Sequence, residues 1–371
     1  MPGRCRACTI GQIFVEGKGI VTELNVGIIG CGRIADLHAP GYARSHRARI
    51  FAVCDVNPEL AARRGTEWGA ERVYTDYHKL LADPDVQAVE IIVPHHLHKQ
   101  VCVDACEAGK HVSVQKPMAL TVSECDAMIR AARENNVKLK VFENFVFYPP
   151  YVKARELIED GAIGQPLSVR IHLGGGARGG WKVPLSAWLW RLNEQTCGGG
   201  PNIFDDGYHK FSIAIDFFGP IEVVNGWVDR SFGIVDAPAM ISWKHKNGMA
   251  GYLDSTFSPH MTMKSKYYTA DERVEITGSE GVLYLSRCTA RLLDEPVLIL
   301  CRGGVTTAFE DLRDDWVDSF TDSTLHYIGV LLDGGEPRLT GERGRQVLQF
   351  AHAAIKSSNT GEPVRPDDIT V

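Results

Sequence analysis

The stretch Asn25–Ala35, NVGIIGCGRIA, constrains the fold more than any other part of the chain. Val26, Ile28 and Ile29 form a short apolar run. Gly30, Gly32 and Ala35 then occupy the three small-residue positions of G-x-G-x-x-[GA]. In a strand–turn–helix, Gly30 allows the tight turn, Gly32 lets a pyrophosphate approach bare backbone, and Ala35 lets the helix sit close on its strand. Backbone N–H groups and the helix dipole at that helix start favour phosphate. Gly-rich turns are common, so context carries the reading. Asp55 closes a second apolar run, Ile50–Cys54. It lies about twenty residues past Ala35, where such folds place the carboxylate that bonds the adenosine ribose. The motif and its acid read as a dinucleotide site, with Arg33 and Ile34 on the turn. Asp55 is followed by Val56-Asn57-Pro58 and not by an arginine, which favours NAD over NADP.

The chain has 371 residues, enough for two domains with sizeable cores. A formal net charge of −6 gives no electrostatic reason to expect nucleic acid. No apolar run reaches the length of a membrane span. Residues 1–23 lack the continuous apolar core of a secretory signal and read as an extension. The ten cysteines show no framework spacing, and Cys54, Cys102 and Cys106 sit in apolar runs as small buried thiols. Cys5 and Cys8 form one CxxC without the second pair that a structural zinc needs. Reduced thiols and no signal point to the cytoplasm.

Residues 24–143 alternate strand-like and helix-like segments, the pattern of a doubly wound parallel sheet. The expected helices include Arg33–Ser45, Glu59–Gly69, Lys99–Ala108 and one capped by Thr121 or Ser123. After Tyr148-Pro149-Pro150 the character changes. Strands are expected at Leu167–Leu173, Ile221–Trp227, Met240–Trp243, Met249–Phe257, Arg273–Thr277 and Gly281–Leu285, with a last helix near Gly344–Ser357. Residues 144–371 therefore read as a separate α+β domain with a large, mostly antiparallel open sheet. Two Gly-rich segments, Gly174–Gly180 and Gly198–Gly200, are expected to interrupt it.

From Gly109 to Pro117, GKHVSVQKP, the sequence resembles the Gfo/Idh/MocA family of sugar and polyol oxidoreductases, whose usual form is GKHV..EKP. Val93-Pro94-His95-His96-Leu97-His98 is similar to the family's T-P-N-x-x-H. Glu143-Asn144-Phe145-Val146-Phe147-Tyr148-Pro149 is similar to N-R-R-F-x-P. Asp160–Gly164 matches the S/D-G-x-I-G turn, Asp205–His209 matches D-x-G-x-H, and Glu275–Gly281 matches E-I-x-G-x-x-G. The resemblance covers about residues 25–360. Gln115 departs from the family's Glu, Val93 from Thr, His95 from Asn, and Phe145 and Val146 from arginines. Pro201 replaces a small residue.

The resemblance implies that Lys116, Asp205 and His209 share one cleft with NAD. His209 is the expected general base, because an imidazole titrates near neutral pH. Lys116 would stabilise the developing alkoxide, and is the alternative base. Asp205 would orient the substrate or His209. Val93, Pro94, His95, His98 and Gln115 are expected along the cofactor. No metal is expected, since the spacing of His95, His96 and His98 fits no regular ligand set. Glu143 and Asn144 fall at the domain junction, within reach of substrate hydroxyls. Trp181, Trp188, Trp190, Lys182 and Arg191 read either as core packing or as an aromatic platform for a pyranose. Asn202 joins the substrate set. The implied reaction moves a hydride between a secondary ring hydroxyl of a sugar or glycoside, perhaps C3 of a glucoside, and the nicotinamide. An inositol or cyclitol dehydrogenase and a non-catalytic sugar or dinucleotide sensor are the alternatives. A homo-oligomer, dimer or tetramer, through the open face of the second sheet is also implied.

Overall fold

The structure, a computed structural model, describes residues 23–182, 189–230, 235–286 and 289–370. Cys5 and Cys8 lie outside the described residues. The first sheet has six parallel strands: β1 (Leu24–Ile29), β2 (Ala48–Cys54), β3 (Arg72–Tyr74), β4 (Ala88–Ile91), β5 (His111–Gln115) and β6 (Leu139–Phe142). Their order is β3-β2-β1-β4-β5-β6. The winding reverses between β1 and β4, and the crevice outside the carboxyl ends of those strands is where such sheets bind ligands.

The intervening helices are α1 (Ala35–Ala43), α2 (Pro58–Trp68), α3 (Tyr77–Leu81), α4 (His95–Glu107) and α5 (Val122–Glu134). Asn57 caps α2 by accepting from the Glu59 and Leu60 amides, and Gly69 ends it in the left-handed region. Thr121, not Ser123, caps α5, while Glu124 reaches back to accept from the Leu120 amide. Two helices begin elsewhere than expected. α1 starts at Ala35, because Gly32–Ile34 are spent on the turn into it, and Pro40 sits inside it. α4 starts at His95, where Pro94 ends the preceding extended chain; its polar histidines hide the helix from a pattern based on apolar spacing.

Helix α6 (Pro149–Glu159) leads to the second sheet. Its strands are β7 (Pro166–Arg178), β8 (Ile221–Val228), β9 (Ala239–His245), β10 (Ala250–Thr262), β11 (Ala270–Gly278), β12 (Gly281–Ser286), β13 (Leu298–Arg302) and β14 (Val305–Ala308). The order is β14-β13-β12-β11-β7-β10-β9-β8. β7 and β10 pair in parallel and all other neighbours antiparallel, so the sheet is mixed at its centre. The glycines of Gly174–Gly180 do not interrupt it: β7 runs through Gly174, Gly175 and Gly176. A Cβ at Gly176 would lie 2.9 Å from the Met261 carbonyl, so bare backbone is what lets the neighbouring chain close in. The hairpin of β13 and β14 turns at Gly303-Gly304, and neither strand is in the sequence-based set.

The remaining helices are α7 (Glu194–Cys197), α8 (Gly207–Phe218), α9 (Trp316–Asp333) and α10 (Gly341–Thr360). α10 lies against β8 so closely that a Cβ at Gly226 would be 2.3 Å from the Ala354 carbonyl. The opposite face of the sheet leaves Leu167, Trp227, Met240 and Tyr284 exposed. α9 returns to the first sheet. Tyr327, Ile328, Val330 and Leu331 join the apolar cluster formed by Leu24, Val26 and Ile28, and the Tyr327 hydroxyl donates to the Val112 carbonyl at 2.8 Å.

Gly30 sits at φ 97°, and a Cβ there would lie 2.2 Å from the Ile92 carbonyl. Gly30→Ala is therefore expected to lower stability by about 2 kcal/mol or more. Thermal unfolding followed by circular dichroism checks this; an unchanged midpoint would show that the turn has room to relax.

Candidate active site

A cavity of about 1320 Å³ runs from the β1–β4 crevice to the covered face of the second sheet. At one end it is lined by Gly30, Gly32, Arg33, Ile34 and Asp55, and further in by Val93, Pro94, His95, Gln115 and Lys116. At the other end lie Asn144, Trp181, Lys182, Trp190, Arg191, Asn202, Asp205 and His209. His98 and Glu143 do not line it.

The two glycines of the turn differ in their surroundings. Gly30 is pressed on Ile92, whereas nothing lies within 4 Å of a Cβ built on Gly32. That open space at a helix start is what a pyrophosphate requires. Asp55 is pinned beside the turn: one carboxylate oxygen accepts from the Cys31 amide and the other from the Asn57 amide, each at 2.9 Å. The residues thus fit a dinucleotide, whose phosphates the open space at Gly32 would admit and whose ribose Asp55 would bond.

Lys116 directly follows β5, whose last residue is Gln115. The Gln115 side-chain oxygen accepts from the Lys116 amide at 2.8 Å, and its Nε2 donates to His38 at 3.0 Å. His38 in turn bonds Glu90 at 2.6 Å, both buried. The Lys116 Nζ donates to the Asp205 carbonyl at 2.9 Å and to its carboxylate Oδ1 at 2.7 Å. Arg191 Nε donates to the other oxygen, Oδ2, at 3.0 Å. Burial alone would raise the Asp205 carboxyl, but the Lys116 ammonium and the Arg191 guanidinium pull it below the usual carboxylate range.

Asp205 and His209 leave the chain at the junction between a π-helical turn, Pro201–Asp206, and α8. Such wide turns recur at functional sites. His209 Nδ1 lies 2.8 and 2.7 Å from the two oxygens of Glu143. The Glu143 carboxylate also accepts from the Phe145 amide at 2.8 Å, and the Phe145 ring stacks on the imidazole at 4.1 Å. Burial pushes the Glu143 carboxyl up to about 7, against the pull of that amide. A carboxylate at Nδ1 leaves Nε2 as the ring's proton acceptor on the opposite edge.

Several expected placements change. Glu143 is fully buried and spent on His209 and Phe145, so it does not reach into the cavity. Asp205, tied to Lys116 and Arg191, is not the group that orients His209. His98 is fully buried, with ring nitrogens 2.9 Å from the Pro117 and Val93 carbonyls; it braces the two loops that flank the cofactor end. Burial pushes its imidazole down to about 4. The aromatic platform is also altered. Trp181 packs among Tyr267, Tyr268 and Trp316, with the Arg33 guanidinium 4.6 Å from its ring centre. Trp190 carries Arg191 over its ring at 4.2 Å. Trp188 lies outside the described residues. Asn144 donates to Ser319 at 2.7 Å, and Asn202 spends its amide on Asp236 and Ser255. No spacing in the sequence signals His38 or Glu90; they meet behind Gln115 only because α1, which carries His38, packs against the sheet that carries Glu90.

Gly32→Val is expected to retain its thermal midpoint, because the new side chain enters open space, and to lose NADH binding by at least about tenfold, because that space is the phosphates'. Fluorescence titration with NADH measures it. Normal affinity would place the phosphates elsewhere.

Comparisons with known proteins find relatives for both halves of the chain. A family model described as an oxidoreductase family with an NAD-binding Rossmann fold matches residues 24–143, and the GFO/IDH/MocA C-terminal domain matches residues 151–284. A levoglucosan dehydrogenase of Pseudarthrobacter phenanthrenivorans is 30% identical over 70% of this chain and 72% of its own length. A myo-inositol 2-dehydrogenase of Thermotoga maritima is 27% identical over 93% of this chain and 99% of its own. The solved structure of a levoglucosan dehydrogenase in complex with NADH and levoglucosan superposes with a TM-score of 0.79 at 26% identity, covering 92% of this chain and 99% of that one. Matched in both halves, and by these relatives along its length, the chain belongs to the Gfo/Idh/MocA family of oxidoreductases.

Proposed function

We propose that the chain is an NAD-dependent dehydrogenase that oxidises a secondary ring hydroxyl of a sugar or glycoside, with C3 of a glucoside as the leading position. The observation that carries this reading is the pairing of His209 with a buried carboxylate, beside an ammonium, in the cavity that begins at the Gly30–Gly32 turn. A sensor on the same fold would need no such set of groups. The relatives' names support a polyhydroxylated ring, since levoglucosan and myo-inositol are both of that kind. The myo-inositol relative, matched over 93% of this chain, favours a cyclitol as the second reading. We also propose a homo-oligomer joined through the open sheet face, where Trp227 and Met240 are exposed.

In this reading His209 Nε2 takes the hydroxyl proton, and Glu143 at Nδ1 stabilises the imidazolium that results. The Lys116 ammonium, held by Asp205, donates to the oxygen as negative charge develops on it. A bound nicotinamide supplies the two-electron acceptor for the carbinol hydrogen. The aromatic wall of Tyr267, Tyr268 and Trp181 excludes water from the space between.

Incubating the protein with NAD and a panel of levoglucosan, methyl glucosides and myo-inositol, while following absorbance of reduced nicotinamide, tests the assignment directly. Silence across ring sugars and cyclitols would sink it. Asp55 predicts NAD over NADP, a preference that Asp55→Ser is expected to weaken. His209→Ala is expected to lose roughly 10²–10⁴ in turnover and the acid limb of the pH–rate profile, since the base that protonates at low pH is gone. Lys116→Met should lose at least as much yet keep that limb. The reverse pattern would make the lysine the base.

A further inference from the structure

We propose that His95 Nε2 accepts a hydrogen from the hydroxyl on the ring carbon next to the one oxidised, which makes His95 a specificity residue for vicinal diols. The proposal rests on the sugar-or-cyclitol reading above. His95 opens α4, and its ring is fixed on two sides. Nδ1 lies 2.9 Å from the Cys197 carbonyl, and the ring meets the edge of Trp190 with centroids 4.6 Å apart and planes at 81°. A carbonyl can only accept, so Nδ1 carries a hydrogen. Burial pushes the imidazole down to about 3, against the pull of Asp205, so the ring is neutral in ordinary buffers. Nε2 is then a bare lone pair.

That lone pair lies 3.7 Å from Asp205 Oδ1, a carboxylate kept ionised by its cations. Among the described residues no donor reaches Nε2. Nε2 thus faces a carboxylate oxygen with no hydrogen between them, and since that oxygen already accepts from Lys116 Nζ, Nε2 is the acceptor left open for a donor. Both residues line the cavity, so the donor can come from a ligand. In a vicinal diol the reacting hydroxyl gives its hydrogen to His209, and its neighbour can give one to His95 Nε2. Lys116 Nζ sits 2.7 Å from the same Oδ1, which places the pair beside the oxygen that reacts. A substrate with an isolated alcohol would leave Nε2 without a donor. The family's asparagine at this position ends short of the Nε2 atom, so this acceptor is a property of the histidine in this chain.

The test uses the full chain with NAD and three forms of residue 95. His95→Asn keeps a donor toward the Cys197 carbonyl but has no atom at the Nε2 position. His95→Gln reaches that position with its carbonyl oxygen. Each is assayed with methyl glucoside and its 2-deoxy and 4-deoxy analogues, and in parallel with myo-inositol and its monodeoxy forms; NADH affinity is measured by fluorescence. In the natural protein, removing one hydroxyl beside the oxidised carbon is expected to cost about tenfold or more in kcat/KM. In His95→Asn the same deletion should cost less than about threefold, and His95→Gln should restore part of the discrimination. Equal discrimination by His95→Asn and the natural protein overturns the proposal, as does a natural protein that oxidises the parent and every deoxy form alike; the dehydrogenase reading survives both. Weakened NADH binding with discrimination intact returns His95 to the cofactor and also overturns it. No turnover of either parent ring by the natural protein overturns the sugar-or-cyclitol reading and this proposal together.

Discussion

A single carboxylate, Asp205, ties together the two sides of the site. Its Oδ1 takes the ammonium of Lys116 from the end of β5, and its Oδ2 takes the guanidinium of Arg191 from the segment before α7. A buried carboxylate left alone would cost several kcal/mol. Here the two cations keep it ionised, and it fixes the direction of both. Lys116 then has one N–H left to offer, and it can point only into the cavity. His209, one helical turn on, is governed by a different acid, Glu143. The chain thus separates two electrostatic tasks. One carboxylate positions a permanent cation, and the other supports a ring whose charge changes.

That separation explains which parts of the site were legible in the sequence. Lys116, Asp205 and His209 stood out because their neighbours form recognisable strings. The role of Glu143 did not, because a carboxylate at a domain junction suits a substrate hydroxyl as readily as a buried imidazole. What decides between them is the backbone at Phe145, whose amide and ring both turn toward the pair. Phe145 stands where the resemblance puts an arginine; read alone that is a lost contact, but in space it is a stacking partner. His98 was misplaced for a similar reason. A helix start that buries one histidine fully and leaves the next exposed cannot be told from spacing.

The fold shows the same division. The first sheet follows from continuous apolar runs separated by turn residues, and its order from the position of the Gly-rich turn. The second sheet is harder. β7 and β10 run on through glycines and polar residues, because pairing on both sides supplies what their side chains do not. β14 is exposed along its whole length and carries no apolar signature. α9 combines buried Ser319, Thr321, Ser323 and Thr324 with aliphatic residues. Its polar side lies against the first sheet's own buried polar row, where Lys140 donates to Ser323, so apolar periodicity undercounts it.

The return of α9 to the first sheet has a consequence for how the molecule is made. Emerging from the ribosome, the first 143 residues hold every strand of the nucleotide-binding sheet but not the helix that closes one side of it. The Val112 carbonyl must wait for Tyr327, 215 residues later, and Val26 and Ile28 for Tyr327 and its neighbours, roughly three hundred residues on. Contacts that distant in sequence slow folding and leave apolar surface open during synthesis. The cofactor module is therefore no independent cassette. It is completed from the far end of the chain, and any fragment ending before α9 would present an unfinished sheet to the cell's chaperones.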